Sequence, residues 1–77
     1  MEIRIRYFGE IAEKTGCFEE EFSIDNGRVL DLIALVIDKY PKLETADFSV
    51  AQDKIIVNDK IKLNGAEIAL LPPFSGG

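Results

Sequence analysis

The sequence predicts an α+β fold, a mixed sheet of four to five strands covered on one face by one main helix. Three observations lead to it. Residues 2–7 and 18–24 alternate apolar and polar side chains, the period of a half-buried strand. Residues 29–40 change to the helical period, and apolar segments rich in β-branched or aliphatic residues return at 55–57 and 68–71. A lone amphipathic helix has only the sheet to pack on.

Each element follows from its own residues. In 2–7, Ile3, Ile5 and Tyr7 share one face and Glu2, Arg4 and Arg6 the other. Phe8 to Gly16 sets helix formers between two glycines, which predicts a short helical turn and a connection. In 18–24, Phe18, Phe22 and Ile24 are expected to point inward and Glu19, Glu21 and Ser23 outward. Glu20 breaks the apolar face, so this strand is expected to enter the core only from Phe22. The two strands should form a hairpin. Val29, Leu32, Ile33, Val36, Ile37 and Tyr40 make one helical stripe, with Asp31 and Lys39 at the ends that the helix dipole favours. Its start is weakly marked, because Arg28 stands where a capping Ser or Thr is usual, and Pro41 ends it. Lys42 to Lys54 is expected to be a polar connection with a turn of its own. Ile55-Ile56-Val57 forms a short strand, Asn58-Asp59 a turn, Ile61 a short extended piece and Asn64-Gly65 a second turn. Ile68 to Leu71 is the last strand, stopped by Pro72-Pro73. The long first and last strands should lie centrally and parallel, which is the β-grasp plan.

A chain of 77 residues has room for one domain, here 1–77 with a projecting tail over 72–77. Nine basic against fourteen acidic residues give a net charge of −5, which argues against nucleic-acid or anionic-membrane binding. With no His and a single Cys, the chain has no histidine base, no internal disulfide and no multi-cysteine metal site. No segment has the length or polarity of a membrane span or secretory leader, so a cytoplasmic location is expected. A core this thin leaves little room for a deep substrate cavity, and an autonomous enzyme ranks last.

The candidate site is the tail. From Ile68 to Gly77 no side chain is charged, in a chain that is 30% charged. Ile68 to Leu71 is accounted for by a central strand apolar on both faces. Phe74 is not, because Pro72-Pro73 takes the chain away from the sheet, and an apolar anchor there reads as a docking element. Ser75-Gly76-Gly77 then presents a terminal carboxylate with no side chain around it. Six extended residues from Pro72 reach ~20 Å, enough to enter a neighbouring protein's active site. The prolines stiffen the arm, and glycine lets the backbone pass a narrow channel. The plainer alternative is a flexible tail without chemistry.

The run Leu70-Leu71-Pro72-Pro73-Phe74-Ser75-Gly76-Gly77 resembles the C-terminus of the molybdopterin synthase small-subunit family, the sulfur carriers. Val57-Asn58, Leu63 to Ala69 and Phe8 through Gly16 are similar to that family's last hairpin, last strand and first connection. The resemblance implies a ubiquitin-like β-grasp carrier with no bound cofactor. Its terminal Gly77 would be adenylated by an activating enzyme using ATP and converted to a thiocarboxylate by a sulfurtransferase system. The thiocarboxylate would then donate sulfur to cyclic pyranopterin monophosphate, to form the molybdopterin dithiolene. It also implies a heterotetramer of two small and two large subunits, with the active site in the large one. Phe8, Leu71, Pro72, Pro73, Phe74, Ser75 and Gly76 would be the residues that meet the partner. The family often has Arg where this chain has Ala12, and aromatics at Leu70-Leu71, so the partner pocket is expected to suit aliphatics.

Cys17 is the rival sulfur carrier, but carboxylates beside a thiol disfavour the reactive thiolate, and a structural role is expected. The Glu19–Glu21 run is expected to be a solvated face. Other functions stay open from sequence alone: the same carrier chemistry for thiamine, tRNA thiolation or cysteine, a protein modifier joined to lysines through Gly77, or an interaction module without tail chemistry.

Overall fold

The computed structural model describes residues 1–64 and 67–73. Strand β1, Glu2–Tyr7, alternates exposed and buried residues as its period requires, with Ile3, Ile5 and Tyr7 in the core. Helix α1, Glu10–Thr15, buries Ile11 and ends where Gly16 takes a left-handed conformation (φ 80°) and donates its N–H to Ala12 O at 2.8 Å. Strand β2, Glu19–Ser23, pairs antiparallel with β1, with Ile3 opposite Phe22 and Ile5 opposite Glu20. Helix α2, Val29–Lys39, buries Val29, Leu32 and Val36, the stripe read from its periodicity. Its start is capped from within: the Asp31 carboxylate accepts the Arg28 N–H at 2.8 Å, so the cap is three residues into the helix rather than at its first position.

Pro41 ends α2 and opens a 3-10 turn, Pro41–Thr45, whose Leu43 is fully buried. Strand β3, Ser49–Gln52, and strand β4, Ile55–Val57, form a hairpin around Asp53 and Lys54, both at positive φ (52° and 67°). Strand β5, Ile68–Leu71, completes a five-stranded sheet in the order β2-β1-β5-β3-β4. The β1–β5 pair is parallel and the other pairs are antiparallel, which is the β-grasp arrangement expected from the sequence. One sheet face and α2 enclose the core, into which Ile3, Ile5, Tyr7, Ile68 and Leu70 project.

The structure corrects three expectations. Residues 42–54 are not merely a connection, because β3 lies within them. Within β3 only Val50 is a large apolar residue, and its inward neighbour in the pattern is Gln52. That amide is buried because it donates to Lys62 O and accepts from the Asn64 N–H, both at 3.2 Å. The hairpin turn also lacks the glycine that usually marks one. Phe18 does not point inward and is 80% exposed, since Tyr7 and Cys17 occupy the core side at that end of the sheet. Ile61 is not part of a strand; the short extended contact is a single bridge between Arg28 and Lys62.

Candidate functional site

The last strand sits in the middle of the sheet, so the chain that follows it leaves from the centre of the molecule. Leu70 lies opposite both Tyr7 and Val50 and is fully buried, which makes it a core residue and unavailable to a partner. Leu71, the next residue, faces away from α2 and is half-buried opposite Ser49. The same alternation puts Ala69, Ala51 and Ile56 on that outer face, in register across β5, β3 and β4. Phe8 prolongs it: its N–H donates to Leu70 O at 3.1 Å, and its exposed ring lies under the Arg6 guanidinium, 5.8 Å from the centroid.

Charge divides this outer face. Over β1 and β2, Arg4 pairs with Glu21 at 3.5 Å, and Arg6 reaches Glu19 at 3.8 Å and Glu67 at 3.7 Å. These exposed pairs add little stability. They do neutralise the strip and border the apolar half, and an apolar centre beside a polar rim is the anatomy of a docking surface. The Glu19–Glu21 run is therefore only partly a solvated face, because Glu20 turns the other way.

Pro72 follows at once and packs on the β1–α1 connection. A Cβ on Gly9 would stand 2.7 Å from Pro72 Cγ, so the proline ring lies directly against that glycine. Gly9 itself is at φ 55°, a region that L side chains rarely adopt. Of the residues expected to meet a partner, Phe8, Leu71, Pro72 and Pro73 thus gather where the chain leaves the sheet. Phe74, Ser75, Gly76 and Gly77 lie outside the described residues.

A second cluster lay hidden in the sequence. The inward-facing Glu20, whose side chain is only 14% exposed, accepts hydrogen bonds at Oε2 from Tyr7 Oη (2.8 Å) and Tyr40 Oη (2.6 Å), and at Oε1 from Lys39 Nζ. Burial opposes its ionisation, but the bonds from Lys39, Tyr40 and Tyr7 outweigh that and hold its carboxyl below the usual glutamate range. Burial first, then the bond to Glu20, pushes the Tyr7 phenol well above its ordinary value; for Tyr40 the bond to Glu20 leads and burial follows. The two rings meet edge to face, 6.1 Å apart. Cys17 Sγ joins the rim, 3.6 Å from Glu20 Oε2, where its S–H donates to the carboxylate, and 3.8 Å from Tyr40 Oη. Both phenols act as donors and the carboxylate is saturated, so the cluster ties the end of α2 to β1 and β2 rather than offering a base. An acidic residue at an inward position of a strand was the one sequence signal for it. Among the described residues, no group of three or more His, Cys, Asp or Glu side chains is placed to hold a metal ion, and no helix is long and apolar enough to cross a membrane.

Residues 5–77 match the model of the ThiS family. A molybdopterin synthase sulfur carrier subunit from Chlamydomonas reinhardtii is 35% identical over 83 residues, and the match covers all of both chains. Among solved structures, the complex of subunits 1 and 2 of molybdopterin-converting factor from Helicobacter pylori contains a chain 30% identical to this one, with a TM-score of 0.67 and full coverage of both. SAMP1 from Haloferax volcanii has the same fold, with a TM-score of 0.86 at 22% identity and full coverage of both chains.

Proposed function

The chain belongs to the ThiS family, and from that premise we propose that it is the sulfur-carrier subunit of a molybdopterin synthase. One observation carries the reading: the central strand of the described sheet, β5, runs straight into Pro72 beside an apolar outer face. The uncharged segment Pro72 to Gly77 thus follows directly on the central strand, beside an exposed outer face suited to a partner. The Chlamydomonas relative bears the name of such a carrier over its whole length, and the Helicobacter relative is one half of a two-subunit complex.

In this reading the carrier does no catalysis of its own. The Gly77 carboxylate is unreactive until an activating enzyme adenylates it with ATP, which converts one oxygen into part of a good leaving group. A sulfurtransferase system delivers sulfur at the sulfide level to that carbonyl, the acyl–phosphate bond breaks, AMP departs, and a thiocarboxylate remains. Thiocarboxylate is a soft nucleophile that needs no side-chain base, consistent with a site that has no histidine. Phe8 and Leu71 hold the large subunit at the outer face, Pro72 and Pro73 direct the arm, Phe74 anchors it, and Ser75-Gly76 thread Gly77 into the large subunit's active site. There the thiocarboxylate sulfur bonds to a carbon of cyclic pyranopterin monophosphate, and water cleaves the resulting acyl–sulfur bond, so the sulfur stays on the pterin and Gly77 returns as a carboxylate. Two transfers complete one dithiolene, which suits a heterotetramer with two carriers. The cytoplasm supplies the ATP and the activating enzyme.

Intact-mass measurement of the chain isolated from its native cell tests the reading. A population heavier by one oxygen-to-sulfur exchange at the C-terminus is expected. Protein covalently joined to lysines of other proteins, with no such exchange, would contradict it and favour a modifier.

A further inference from the structure

Ile55 lies on the inner face of the sheet, opposite the buried Gln52, yet it is 65% exposed. Ile56, on the outer face, is 50% exposed. Both belong to β4, the last strand of the sheet, and among the described residues only β3 pairs with it. Between β4 and α2 opens a groove of about 390 Å³, whose lining includes Ile33, Phe48, Val57 and Asp59. Exposed isoleucines on an unpaired edge mark a place where another strand can add. We propose that a second copy of this chain covers this edge, the two β4 strands pairing antiparallel with Ile56 opposite Ile56. A two-fold axis normal to the sheet keeps each face on its own side, so a residue can only meet one of the same face. In this register Ile55 of each copy stands opposite Val57 of the other, on the inner face. Val57 lines the groove, so each copy supplies an apolar side chain to the open side of the other's groove. The contact is thereby self-complementary, as an isologous interface must be. Charge agrees with it. The edge carries Asp53 and Lys54 at one end and Asp59 and Lys60 at the other, and antiparallel pairing brings the first end of each copy beside the second end of its mate. Lys54 then reaches Asp59 and Lys60 reaches Asp53, twice over. The opposite edge, β2, carries Glu19, Glu20 and Glu21 in a row and would set like charges against its own copy. Three residues per strand make an interface well below the ~800 Å² per partner of stable complexes, so the pair is weak and reversible. Strand β5 and Pro72, two strands away, stay uncovered, and the pairing does not depend on the carrier reading.

Sedimentation equilibrium of the full chain under reducing conditions, from about 10 µM to about 1 mM, provides the test. A monomer–dimer equilibrium is expected within that range, with amide shifts that grow with concentration over residues 54–59. Ile55→Asp changes an exposed side chain, so circular dichroism should show the fold intact while the dimer weakens at least about tenfold. Lys54→Glu should weaken it by about two- to tenfold, and Lys54→Glu with Asp59→Lys should restore it. A chain still monomeric at about 1 mM would overturn the proposal and leave the edge to an unlike protein strand. It would equally be overturned by a dimer whose shifts map to β2 or to Phe8 and Leu71, by one that Ile55→Asp leaves unchanged, or by a charge swap that fails to restore pairing.

Discussion

Glu20→Ala should cost this small fold much of its stability. The carboxylate is the acceptor for two phenols and an ammonium. Tyr7 is 2% exposed, so its hydroxyl loses its acceptor with no water to replace it, at about 1–3 kcal/mol. Tyr40 is half-buried and Lys39 exposed, so both regain water and together add about 0–1 kcal/mol. The sum is about 1–4 kcal/mol. In a domain of this size each kcal/mol lowers Tm by about 4–8 °C, so the middle of that range, about 2.5 kcal/mol, gives a fall of about 10–20 °C by circular dichroism. Glu20→Gln keeps an oxygen for the phenols but loses the charge, and should fall between parent and Glu20→Ala.

The parent's advantage over Glu20→Gln should also depend on pH. The folded state holds the Glu20 carboxyl below its ordinary value of 4.5, so the contribution is complete above that value. It is lost as pH falls through the lower, folded value. Melts taken from neutral pH downward should therefore narrow the gap between the two proteins toward the acid end. Other carboxylates shift both curves alike and cancel in the difference. A Glu20→Ala protein that melts with the parent, or a parent-to-Gln gap that is the same at both ends, would refute the hub.

Cys17→Ser should leave sulfur transfer nearly intact, because the sulfur rides on the main-chain terminus; loss of product by a well-folded variant, assayed in the reconstituted synthase, would reassign the carrier atom. Phe74→Ala should weaken large-subunit binding by about one to two decades, the ~1.5–3 kcal/mol of a buried aromatic. Titration calorimetry reads that loss, and equal affinities would remove Phe74 as an anchor. Leu71→Ser should weaken the same complex, since Leu71 faces away from α2 beside the tail's exit, while Leu70→Ser should instead unfold the free chain because Leu70 is wholly buried; circular dichroism of the isolated variants separates the two.

Much of the fold was legible because period and punctuation agreed. Residues 2–7, 29–39 and 68–71 carry clean alternation or a clean helical stripe with proline stops, and the structure forms β1, α2 and β5 there. Strand β3 escaped because its inward residues are Val50 and a buried glutamine, whose burial rests on hydrogen bonds made ten or more residues away. Phe18 and Glu20 exchanged the environments their polarity suggested. The apolar ring is exposed, and the carboxylate is buried because Tyr7, Lys39 and Tyr40 converge on it from other elements. No local pattern contains that convergence. For the site, the uncharged tail and its prolines were visible in sequence. The outer face was not, because Ala69, Ala51 and Ile56 become neighbours only through the strand order.

Removing Gly77 tests the central claim most directly. The terminal carbonyl would retreat by ~3.3 Å, one extended residue, while a reacting atom must lie within ~3–3.5 Å of its target. The fold should survive, because the last strand ends at Leu71. Binding should survive too, because Phe8, Leu71 and Phe74 remain. Product formation and large-subunit affinity are measured side by side for the parent and for a chain ending at Gly76. The account predicts near-parent affinity with sulfur transfer abolished; transfer at the parent rate would contradict it, and the terminal glycine would not be where the sulfur is carried.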